Sequence, residues 1–141
     1  MDYKRNENEI FLRIDRGEEV LEKILEVVKK ENIKSGNMTA IGACDEFTVG
    51  LYSVSEQKYY SKHYKGEFEI VSFLGNISQK DGMPYIHVHI GCSGEDHVVI
   101  GGHLNRCRIS GTFECKIEIS DIVIGRKIDS KTGLNVFKFD N

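Results

Sequence analysis

Only one segment of this 141-residue chain repeats its apolar residues at helical spacing; the stretches around it alternate in the two-residue period of a strand. Val20, Leu21, Ile24, Leu25, Val27 and Val28 form that stripe, opposite Glu22, Lys23, Glu26 and Lys30. Asp15 with Glu18 three residues later reads as a helix-capping pair. The expectation is a helix over residues 17–31 that covers one face of a sheet. Before it, Ile10, Leu12 and Ile14 alternate with Phe11 and Arg13, a strand apolar enough to be largely buried on both sides. After it, β patterning covers residues 38–44, the alternation Phe47, Val49, Leu51, a polar-aromatic run over 59–64 and a strong run over 67–77. Asp81-Gly82 then supplies a turn into the next strand, and further strand patterns occupy 105–111, 112–124 and 134–139. One helix with many strands at hairpin-like spacing predicts an α+β fold: a single domain over residues 1–141 with a mainly antiparallel β-sheet and the amphipathic helix packed on it.

The chemistry concentrates between Gly75 and Leu104, which hold four of the five histidines and the only proline. On an extended chain Tyr85, His87 and His89 share one face, and Ile86, Val88 and Ile90 the other. Residues two apart on a strand have Cβ atoms roughly 7 Å apart. Imidazole arms converge from that spacing on one ion with Zn–N bonds of about 2.0 to 2.1 Å. The best candidate for a third ligand is His103: Gly94 and its polar neighbours mark a turn, and residues 97–100 return as a strand. With the loop centred near Glu95, His103 falls about opposite His87, on the histidine face; a slip of one residue would turn it away. His97, beside the turn, and His63, in the Tyr/Lys-rich run, read as surface residues.

Composition removes several alternatives. No apolar run approaches the ~20 residues of a membrane helix, and MDYKRNENEI lacks the apolar centre of a secretory signal, so the expected location is the cytoplasm with no membrane partner. Cys44, Cys92, Cys107 and Cys115 show no CxxC spacing and lie in apolar runs, which predicts buried free thiols, with Cys92 turned inward like Ile90. Net charge is −3, and no basic block supplies a footprint for nucleic acid.

His87, His89, Glu95 and Gly102 come close to the metal signature of cupins, but Glu95 lies too far past His89 for that pattern and falls in the turn. A fuller likeness runs through GEEV at the helix start, Ile41-Gly42-Ala43, residues 66–71, Gly75-Asn76-Ile77-Ser78, Asp81-Gly82, Pro84 to His89, and Gly101-Gly102-His103-Leu104. On these motifs the chain resembles the PPC (plants and prokaryotes conserved) domain family, in its stand-alone prokaryotic form. That resemblance implies a compact α/β domain assembled as a homotrimer, with a metal held in some members by the histidines matching His87, His89 and His103. In plants such domains follow AT-hooks in DNA-binding proteins. The Arg-Gly-Arg-Pro core of an AT-hook does not occur in this sequence, and Glu67 replaces an arginine of the plant partner-binding segment.

The functional expectation is therefore a homotrimer binding a divalent metal, zinc by its preference for imidazole, through His87, His89 and His103, with a small-molecule ligand at the ion. Metal-assisted hydrolytic or lyase-type chemistry suits such a site, with Glu95, Asp96 and Tyr85 near enough in sequence to assist. The rival expectation is a DNA-associated or transcription-regulatory module acting through protein–protein or DNA contacts without catalysis.

Overall fold

The computed structural model describes residues 1–139, so the last two residues of the expected domain lie outside the described chain. Eight strands and one helix follow in the order β1 (Asp2–Asn6), β2 (Glu9–Ile14), α1 (Val20–Lys30), β3 (Gly36–Ser53), β4 (Lys58–Lys80), β5 (Met83–Ser93), β6 (Val99–Ile119), β7 (Gly125–Ile128) and β8 (Asn135–Lys138). The first six form one antiparallel sheet in the order β1-β2-β6-β3-β4-β5. Because β6 also pairs with β5, the four long strands β3 to β6 return on themselves. Strands of this length need help to bend, and β3 meets its neighbours through register shifts near Gly42, Cys44 and Thr48.

Period-two patterning decides what faces inward. Val88, Ile90 and Cys92 of β5, Phe113, Cys115 and Ile117 of β6, and Met38, Cys44 and Phe47 of β3 are all buried. The helix adds Val20, Ile24, Val27 and Val28 to the same core, against β5 and β6. All four cysteines are free and buried, and burial pushes the Cys115 thiol up to about 12.

Several elements differ from the sequence expectation. The helix begins at Val20 because Glu19, not Asp15, caps it, accepting the Glu22 amide at 2.7 Å. Asp15 and Glu18 do form their reciprocal turn, and both also hold the N-terminal amine, at 2.6 and 2.8 Å. β2 is buried on one face only, with Phe11 exposed beneath the Lys116 ammonium. The runs 59–64 and 67–77 are one continuous β4, and 105–111 joins most of 112–124 in β6, which stops at Ile119. Nothing apolar announces β1; it is held by its backbone ladder to β2 and by Tyr3 and Arg5 bonding Glu31.

Candidate metal centre

β5 carries the first two histidines outward from the core: His87 is half-buried and His89 exposed, while Val88 and Ile90 between and beside them point in. The strand is fixed by the turn expected at Asp81-Gly82, where both residues take positive φ, 52° and 78°. β6 lies alongside β5 and brings His103 directly opposite His89. This corrects the expected register by two residues. The turn is centred on Asp96, not Glu95, because His97 adopts a left-handed φ of 60° and Asp96 Oδ1 accepts the Val98 amide at 3.1 Å, delaying β6 to Val99. A two-residue slip preserves the face, so His103 still joins the other histidines.

Close approach of β5 and β6 depends on Gly101, since a Cβ there would overlap the carbonyl oxygen of Ile90. Ring centroids are 5.1 Å apart for His87 and His103, 5.2 Å for His87 and His89, and 5.7 Å for His89 and His103. One nitrogen from each ring lies within 4.8 Å of the other two. Three nitrogens on one tetrahedral ion stand about 3.3 Å apart, given bonds near 2 Å. Small side-chain rotations, drawing the rings in by roughly 1.5 Å or less, therefore satisfy an ion. No carboxylate belongs to this group.

The electrostatics suit neutral ligands. His87 is lowered to about 4, first by burial and then by the positive ends of His103, Arg126 and His89. His103 is also lowered, by burial and by His89. At neutral pH both rings therefore offer lone pairs instead of charge.

Two neighbours escaped the sequence reading. The Tyr59 ring stands edge-on to His103 at 6.2 Å and its hydroxyl donates to Asn105 Oδ1 at 2.7 Å. It lies across Gly50, the β3 partner of His103, where a Cβ would strike the ring. Arg126 of β7 donates to Asn76, which faces His87 across the β4–β5 ladder. Asn76 itself was visible as part of a motif, but nothing in spacing connects residue 126 to residue 87.

The other candidates lie outside the three-nitrogen group. Glu95, Asp96 and His97 line a groove with Glu67 and Phe68 at the β5–β6 turn. Tyr85 stacks on Arg126 at 4.8 Å. His63 is exposed and engages Thr48 Oγ1 at 3.0 Å and Glu46 at 3.5 Å.

A long-stranded antiparallel sheet closed by one helix, with three outward imidazoles at a strand crossing, defines a small histidine-site β domain. The chain belongs to the Plants and Prokaryotes Conserved (PCC) domain family, which it matches over residues 1–120. Its structure is similar to that of a candidate DNA-binding protein from Bacteroides thetaiotaomicron, with 28% identity, a TM-score of 0.94 and coverage of 98% of this chain and 96% of that one. A metal-containing protein from Archaeoglobus fulgidus is similar at 28% identity and a TM-score of 0.87, covering 98% and 97% of the two chains. A PPC protein from Pyrococcus horikoshii is similar at 29% identity and a TM-score of 0.84, covering 99% and 95%. None of the curated proteins matches the chain.

Proposed function

We propose that this PCC-domain protein is a homotrimer that binds a divalent metal, zinc by its donor set, through His87, His89 and His103. The observation that carries the reading is the meeting of three imidazole nitrogens within 4.8 Å of one another on a partly exposed face. Three neutral nitrogens suit zinc, and the metal-containing relative from Archaeoglobus fulgidus lends support. An ion held by these three protein ligands would keep a further position for a small molecule and would supply a Lewis acid for hydrolytic or lyase-type chemistry. The chain's own contribution is placement: Gly101 lets β6 approach, and Tyr59 limits the sweep of the His103 ring.

Trimer formation draws support from exposed apolar side chains around the site. Leu74 faces His89 across the ladder, Val71 and Val99 flank Gly91, and Ile41 shares a groove with Val71.

Elemental analysis of untagged protein tests the metal: near-stoichiometric zinc is expected, lost in His103→Ala. A natively folded wild type that arrives metal-free and takes up no zinc on titration would sink the proposal. Light scattering should give three chain masses, and fewer in Val71→Glu; a monomeric wild type refutes the trimer.

A second reading, DNA association without catalysis, is favoured by the candidate DNA-binding relative from Bacteroides thetaiotaomicron and opposed by a net charge of −3. Submicromolar gel-shift binding that weakens steeply with salt is what that reading requires.

A further inference from the structure

Among the described residues, Arg126 is a half-buried cation without an anionic partner. Arg5, Arg13 and Arg108 each pair with a carboxylate, and Arg16 and Arg106 are exposed to water. Arg126 is held only by neutral groups. Its Nε donates to Ser78 Oγ at 2.8 Å, one Nη to the Asn135 carbonyl at 3.0 Å, and the other Nη to Asn76 Oδ1 at 2.6 Å. The rings of Tyr85 and Phe137 lie 4.8 and 4.5 Å from its central carbon. Among the described residues these bonds use three of the five N–H groups and leave one on each Nη. The fork is thus oriented by five contacts, and no carboxylate of the described residues answers its charge.

Its place in the fold gives that charge a purpose. Asn76 is the ladder partner of His87, and Tyr85 lies two residues before His87 on the same face of β5. A metal cation at the histidines would add positive charge beside a guanidinium already desolvated by burial. Two neighbouring cations at a partly dry site favour an anion that touches both, and a guanidinium matches planar or tetrahedral oxyanions through paired N–H groups. Burying such a charge with no counter-ion is otherwise costly. The hairpin of β7 and β8 that supplies it lies beyond residues 1–120, outside the family match.

We infer that Arg126 and the three-histidine centre together form a binding site for a small oxyanion, a carboxylate or phosphate group, so that the molecules taken up here are anionic. This rests on the metal reading above. The bound group's oxygens would lie between the ion and the free Nη hydrogens, with Asn76 and Ser78 positioning the fork and making no contact with the ligand.

The test is calorimetric titration of malonate and, separately, inorganic phosphate into zinc-loaded and metal-free protein, with zinc content measured for each sample. Wild-type zinc-loaded protein should bind at least one probe, and the tighter one identifies the headgroup. Arg126→Gln should bind it about tenfold more weakly or worse, the loss of one charge-assisted hydrogen-bond set, while keeping its zinc. Arg126→Gln also loses the clamp on β7, so Asn76→Asp supplies a second arm: it retains the clamp, gives the guanidinium an internal counter-charge, and should weaken the probe comparably with no fall in melting temperature. Unchanged affinity in both variants, or no probe binding at millimolar concentration, overturns the inference. If wild type takes up no zinc, the metal reading fails on its own; weaker probe binding to the metal-free protein that still disappears in Asn76→Asp would leave the anion site standing, and its absence would remove both.

Discussion

Replacing Gly101 by alanine attacks the geometry on which the three-histidine cluster depends without touching a histidine. The added methyl would overlap the Ile90 carbonyl oxygen and sit 3.0 Å from both the Ile90 carbonyl carbon and the Gly91 Cα. These are backbone atoms, so no rotamer change relieves the contact. β6 must withdraw from β5 along the ladder running from His89↔His103 to Ser93↔Val99. Overpacking of this kind costs about 1 to 3 kcal/mol, and loss of two ladder hydrogen bonds adds about 1 kcal/mol each. Alanine's smaller unfolded-state entropy returns roughly 0.4 to 1 kcal/mol. The expected net loss is about 2 to 5 kcal/mol in urea unfolding, together with a marked fall in zinc affinity as His103 is drawn away. Gly111→Ala is the control, since its Cβ meets only the Ala43 Cβ at an ordinary 3.5 Å. If Gly101→Ala unfolds within about 0.5 kcal/mol of wild type, the size expected of an unremarkable surface change, and still binds zinc, the strand crossing does not set the site.

Two further outcomes follow from contacts already described. His87 is held at about 4 in the fold against an ordinary 6.5, so the unfolded chain takes up its proton first. In metal-free protein this stabilising contribution is complete above the ordinary value, declines as pH falls through it, and is lost on passing the folded value; His103 acts in the same direction. Melting temperature measured against pH should therefore drop more steeply in wild type than in His87→Gln, and parallel curves would contradict the assignment. Glu19→Ala removes both the cap that accepts the Glu22 amide and the bond that the Cys107 amide donates to the Glu19 carboxylate at 2.9 Å. A loss of about 2 kcal/mol is expected from one cap and one side-chain bond to a β6 amide, and a loss below about 0.5 kcal/mol, within the ordinary surface range, would show that the carboxylate is dispensable.

Local periodicity made the helix stripe and the two faces of β5 legible, because each is decided by residues adjacent in sequence. The face of His103 was legible for the same reason. Its partner was not, since the register is set by His97 in a left-handed conformation that no glycine advertised. β4 reads as two strands because its first half is polar and aromatic on both sides; it pairs with β3 and leaves most of those side chains in water. The charged N-terminal strand carries no apolar signal, and its ladder to β2 is a tertiary fact. Arg126 is the clearest case of what alternation leaves out. A cation's partner, or its lack of one, is decided by where a later hairpin docks.

Because β6 is hydrogen-bonded to β2 and β3 along its second half and to β3 and β5 near its start, it joins the β1–β2 pair to the rest of the sheet. Releasing β6 would part β1–β2 from β3–β4–β5 and uncover the core between them, so its central amides should exchange with solvent only through global unfolding. His103 is carried on that strand, which ties the segment expected to open last to the three-histidine cluster.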